Sequence, residues 1–176
     1  MLITIIIIAI ALSMDAFSLS LIYGTLGMNK KTRIELSSIV GIYHFIMPIL
    51  GYQFGKIVLR IIPIKPSILV GTIFLILGIQ MLLSIKKDEK IEELKSIYTL
   101  IIFGFTVSID SFTVGITLNT ITNNIITAPI IFSITSTVFT YIGTTIGKIL
   151  NNKFGTYSIL LGSILLIILS IIYYFS

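Results

Sequence analysis

The chain has 176 residues, 56% hydrophobic and 11% charged, with a net charge of +5 and no cysteine; its mean hydropathy is +1.11. A water-soluble domain carries about 25% charged residues, so a soluble globule is excluded, and the lack of cysteine excludes a disulfide framework, a thiolate metal site and a cysteine nucleophile. The basic residues stand between apolar runs, where they set membrane orientation and do not form a nucleic-acid surface.

A bilayer core about 30 Å thick needs about 20 apolar residues of helix. Six stretches qualify, and none alternates apolar with polar as a barrel strand would. The predicted architecture is an all-α integral membrane protein of six transmembrane helices.

Span 1, Leu2 to Gly24, has no basic segment before it and contains Asp15, so it reads as a retained helix and not as a cleaved signal. Span 2, Leu36 to Val58, carries His44 one turn before Pro48, and the proline frees a backbone carbonyl at that level. Span 3, Ser67 to Ile85, holds Gln80 toward its cytoplasmic end. Residues 86–96 mix lysines with acidic residues and read as a solvated cytoplasmic linker. Span 4, Ile97 to Leu118, contains Asp110. Span 5, Ile125 to Ile149, bears the polar stripe Ser133, Ser136, Thr137, Thr140 and Thr144, and span 6 runs from Tyr157 to Phe175. Asn119, Asn123 and Asn124, at a span end and in a loop, read as solvated.

Orientation follows from lysine and arginine. The connections after spans 1, 3 and 5 hold nine: Lys30, Lys31, Arg33, Lys86, Lys87, Lys90, Lys95, Lys148 and Lys153. The opposite side holds only Lys56, Arg60 and Lys65. The richer side is cytoplasmic by the positive-inside rule, which places both termini outside the cell membrane.

The chain also repeats itself. Ser13-Met14-Asp15-Ala16-Phe17-Ser18-Leu19 aligns with Ser108-Ile109-Asp110-Ser111-Phe112-Thr113-Val114 at an offset of 95 residues. Gly51-x-x-x-Gly55-Lys56 aligns with Gly143-x-x-x-Gly147-Lys148 at an offset of 92, and Gly71 aligns with Gly162 at 91. Two units follow, 1–85 and 97–176, each of three spans. Three is odd, so the second unit enters the bilayer from the opposite side, as in the inverted repeats of secondary transporters. The Gly-x-x-x-Gly pairs are read as packing positions, between repeats or between subunits.

Asp15 and Asp110 fall near mid-membrane depth at equivalent places in the two units. A charge there costs at least ~2.5 to 3.5 kcal/mol, so such residues ordinarily face a cavity and serve a pathway. No Lys or Arg stands in the middle of any span to pair with them. Either the carboxylates carry protons or an exchangeable cation neutralises them, which outlines a cation/proton exchanger. Ser18 and Thr113, three residues after the aspartates, share their helical face. Ser13 and Ser108 are turned away by about 200°. His44 reads equally as a buried core residue and as a ligand. Oxygen donors and an imidazole suit Mg, Ca or Mn, so the residues themselves lead to a small divalent or monovalent cation.

The Ser13 to Ser18 segment, its partial copy from Ser108 to Phe112, and Met47-Pro48-Ile49-Leu50-Gly51 together resemble the small six-helix bacterial manganese efflux pumps of the MntP type. The resemblance runs through the whole length and implies export of Mn(II), as transported substrate, with no resident cofactor. It implies that Asp15 and Asp110 are essential, with His44, Ser18 and Thr113 as candidate metal ligands. Some members of that family carry a carboxylate where His44 stands and an arginine where Gln80 stands. An exporter of small organic cations or amino acids, and a non-transporting sporulation-type membrane protein, are the alternative readings. An enzyme is not expected, since no nucleophile and base occur in a recognisable arrangement. The expected partners are the metal ion and the lipid bilayer, with a homodimer plausible for so thin a scaffold.

Overall fold

A computed structural model describes residues 2–25, 28–61, 65–84, 96–122, 124–147 and 153–175. These residues form seven helices and no strand: α1 (Leu2–Gly24), α2 (Lys30–Ile61), α3 (Pro66–Ser84), α4 (Ile97–Val107), α5 (Ile109–Ile121), α6 (Thr127–Gly147) and α7 (Lys153–Tyr174). Apart from Ser96, the charged linker 86–96 lies outside the described residues.

Helices α1, α2, α4 with α5, and α6 are each long and apolar enough to cross a membrane, and α3 and α7 contain shorter apolar segments. The side chains are arranged for lipid. On α6, Ile130, Ile134, Val138 and Ile142 recur every four residues and are exposed, whereas Phe132, Ser136, Thr140 and Thr144 on the opposite face are buried. In water such a helix would present its apolar stripe inward. The same inversion holds in α2, where Ile42, Ile46 and Leu50 are exposed while Ser37 and His44 are buried. The chain is therefore a multi-pass membrane protein.

Packing joins α1 to α6 and α7, α2 to α5 and α6, and α3 to α7. Apolar residues near the start of α1, including Ile5, Ile8 and Leu12, form one core with Phe74 of α3, Phe132 of α6 and Leu166 of α7. A second core joins Ala16 of α1 to Leu36 and Val40 of α2 and to Leu100, Phe103 and Val107 of α4.

Two expectations are corrected. Span 2 is longer than its apolar run: α2 has 32 residues and a length of about 48 Å, so it projects past the hydrocarbon and carries Lys30, Lys31 and Arg33 on its own first turns. Span 4 is not one continuous helix. It breaks at Ser108, whose φ of −99° and ψ of 1° leave the helical region. The Ser108 hydroxyl donates to the Gly104 carbonyl at 2.7 Å, and such a side-chain bond to residue i−4 competes with the backbone ladder. Span 1 has the same bond, Ser13 to Ala9 at 2.7 Å, yet stays continuous. Alanine is about 1 kcal/mol better than glycine in a helix interior, so Gly104 weakens span 4 where Ala9 supports span 1.

Candidate functional site

Asp15 lies half-buried in α1. Asp110 lies half-buried in the first turn of α5, directly after the break. Ser18 is fully buried in α1, and Thr113 is half-buried and donates to the Ile109 carbonyl of its own helix at 3.4 Å. Gln80 is exposed on α3, and Asn124 is exposed in the turn before α6, where its side-chain oxygen accepts from the Ile126 amide. Asn123 and the side chain of Asn119 lie outside the described residues.

His44 is 1% exposed, and its surroundings explain why sequence spacing alone left its role open. Its Nδ1 lies 2.9 Å from the Val40 carbonyl and 2.9 Å from Ser108 Oγ. The structure thus brings His44 against the break in span 4, two residues from Asp110. It also assigns Ser108, which the aspartate-face argument had set aside, to the contact between α2 and α5. The available signal was its alignment with Ser13 at an offset of 95 residues.

Ser13 makes the corresponding contact. Its hydroxyl donates to Ala9 and lies 3.2 Å from Ser136 Oγ on α6. Ser13 and Ser108 stand 95 residues apart, and His44 and Ser136 stand 92 apart. One interhelical contact therefore occurs twice, once with an imidazole and once with a hydroxyl.

The glycines recur in the same way. A Cβ on Gly143 would stand 2.8 Å from the Phe17 carbonyl oxygen, and one on Gly147 would collide with that of Leu21. Gly51 and Gly55 meet the carbonyls of Phe112 and Ile116 likewise. Both Gly-x-x-x-Gly motifs thus serve close packing within the chain, α6 on α1 and α2 on α5.

Pro48 is buried within α2. It has no N–H, so the His44 carbonyl loses its intrahelical donor. One residue therefore offers two acceptors at one level, a backbone oxygen and a ring nitrogen. Ser20, Ser111 and Thr140 add buried hydroxyls with no hydrogen-bond partner among the described residues. No group of three or more His, Asp or Glu side chains able to hold a metal occurs among the described residues. A bound cation would draw on hydroxyls, carbonyls and its own water in addition to any carboxylate, a donor set that suits Mg, Ca or Mn.

The family model described as "Putative manganese efflux pump" matches residues 27–173. A "Putative manganese efflux pump MntP" of Bacillus pumilus is 32% identical over 167 residues, covering 94% of this chain and 91% of that protein. Proteins of the same description from Geobacillus thermodenitrificans and Bacillus cereus are 32% and 34% identical, covering 96% and 94% of this chain and 92% of each relative. No solved structure matches.

Proposed function

Because the chain belongs to the Mntp family, matched over residues 27–173, we propose that it exports Mn(II) from the cytoplasm in exchange for protons. The transport path runs by alternating access between two inverted three-helix units, 1–85 and 97–176. Asp15 and Asp110 form the heart of the cation site, with His44, Ser18 and Thr113 contributing further donors. Both termini face outward, and no resident cofactor takes part.

One observation carries this reading beyond family membership: two half-buried aspartates stand at matched positions, 95 residues apart, in apolar helices that contain no Lys or Arg. Carboxylates at such depth mark ion pathways. The matched Ser13–Ser136 and Ser108–His44 contacts and the matched glycine contacts support the inverted duplication. Helix α1 packs on α6 and α2 on α5; under the proposed division each aspartate then belongs to a helix that meets the other unit, the kind of junction where transporter sites form. The break beside Asp110 supports the same reading, since discontinuous helices are the usual hosts of such sites.

The test is expression in manganese-sensitive cells, with wild type compared against Asp15→Asn and Asp110→Asn. Wild type should lower cell manganese and raise tolerance, and both variants should lose that effect. Proton exchange is read separately, as acidification-dependent Mn(II) uptake into everted membrane vesicles. Unchanged cell manganese with well-expressed wild type would overturn the reading, and uptake indifferent to the imposed pH gradient would remove the coupling.

A further inference from the structure

His44 is the chain's one histidine, and its hydrogen bonds specify where its proton sits. The Ser108 hydroxyl has one hydrogen and donates it to the Gly104 carbonyl at 2.7 Å. Toward His44 Nδ1, 2.9 Å away, Ser108 Oγ therefore presents a lone pair. The Val40 carbonyl, also 2.9 Å from Nδ1, can only accept. Both neighbours of Nδ1 are acceptors, so Nδ1 carries the hydrogen, and in the neutral ring Nε2 is left with a lone pair.

The side chain is 1% exposed, so that lone pair lies inside the helix bundle. A neutral imidazole nitrogen with a lone pair is a common ligand for divalent cations. Metal-ligating histidines commonly have this arrangement, one ring N–H held by a carbonyl and the other nitrogen turned to the ion.

We infer that Ser108, reaching from the break in span 4, acts with the Val40 carbonyl to lock His44 in the Nδ1–H tautomer, so that Nε2 is the atom offered to the transported divalent cation. Ser108 is thus a positioning residue. The inference rests on the reading of His44 as part of the cation path. The second copy of the contact sharpens it: Ser13 makes the same backbone bond and the same kind of interhelical bond, but to Ser136. The two halves of the path therefore differ by one nitrogen ligand, and Ser13 is an internal control for the structural share of Ser108.

The full chain in lipid nanodiscs, labelled with 15N-histidine and held above neutral pH, yields one pair of ring nitrogen signals. Wild type should show a protonated Nδ1 and a pyridine-type Nε2, with Mn(II) broadening the Nε2 signal first. A proton on Nε2 would overturn the inference without any variant being made. Mn(II) uptake kinetics in everted vesicles supply the second arm. Ser108→Ala should raise KM roughly 10-fold, the low end of the effect of losing such a supporting bond, at little cost in maximal rate. Ser108→Thr should restore the wild-type KM, and Ser13→Ala should leave KM within about twofold, well short of that change. Should His44→Ala transport with unchanged KM, the underlying reading of His44 fails. Should His44→Ala raise KM while Ser108→Ala behaves like Ser13→Ala, the positioning role alone fails.

Discussion

Gly143 of α6 packs against the Phe17 carbonyl of α1 so closely that a Cβ would stand 2.8 Å from the oxygen. The obstacle is backbone, which cannot rotate aside as a side chain can. Gly143→Ala should therefore destabilise the protein by about 1 to 3 kcal/mol, the usual range for overpacking, with Gly51→Ala, against Phe112, in the same range. At Gly71 the nearest atom is the Tyr174 ring at 3.1 Å, and Gly71→Ala should cost less. Thermal unfolding of the purified protein in detergent ranks the three. A Gly143→Ala protein melting with wild type would refute the close packing.

Buried hydroxyls should divide into two classes. Ser13 has partners on its own helix and on α6, so Ser13→Ala forfeits bonds worth about 0.5 to 1.5 kcal/mol each, and interhelical ones in membranes average about 0.6. Ser20, equally buried, has no partner among the described residues. Ser20→Ala should be neutral or stabilising, because removing an unsatisfied polar atom removes its desolvation cost. Unfolding in mixed micelles measures the contrast, and equal losses for both would contradict it.

Much of the fold was legible because length and hydropathy decide which segments enter lipid. Leu2–Gly24 was read to the residue from its uninterrupted apolar run. The break at Ser108 was not legible, since the run from Ile97 to Leu118 is as apolar on one side of it as on the other. At the break stands a serine bonded to a glycine carbonyl and to a histidine 64 residues away, and the second of these bonds exists only after packing. Both aspartates stood out as carboxylates far from the ends of apolar runs, and both are half-buried. Ser108 was set aside because angular position was measured from Asp110 alone; α2 reaches α5 from another direction. The lysines of α2 were assigned to a loop for the opposite reason, that hydropathy marks the end of the hydrocarbon and not the end of a helix.

The ion pair between Lys31 and Glu35 should contribute almost nothing. Its atoms are 3.8 Å apart, and the two side chains are 84% and 39% exposed. Lysine also precedes glutamate by four residues, the poorer orientation for such a pair. Exposed pairs of this kind are worth about 0.3 to 0.5 kcal/mol and are screened by salt. Glu35→Gln should shift the melting temperature by no more than a degree or two at low ionic strength, and not at all at high ionic strength. A large, salt-independent loss would mean that Glu35 serves another partner.

Pro48→Ala should separate stability from function. An interior proline costs a helix about 3 kcal/mol through its missing N–H and its clash with the preceding turn, and in α2 it leaves the His44 carbonyl without an intrahelical donor. Alanine supplies that donor, so the helix should gain stability. The gain should be partial, because Pro48 is buried where α5 approaches closely: a Cβ on Gly115 of α5 would stand 2.5 Å from the Pro48 carbonyl oxygen, and alanine leaves the volume of the ring unfilled. If the freed oxygen is a donor to the passing cation, closing it into the helix withdraws one ligand while the imidazole remains. The variant should then melt higher than wild type yet show a raised KM for Mn(II) in everted vesicles, a trade expected where a local defect serves the site. A protein that melts higher with unchanged KM would restrict the cation's ligands at this level to side chains, and one that melts lower would show that the proline's packing against α5 outweighs the backbone bond it removes.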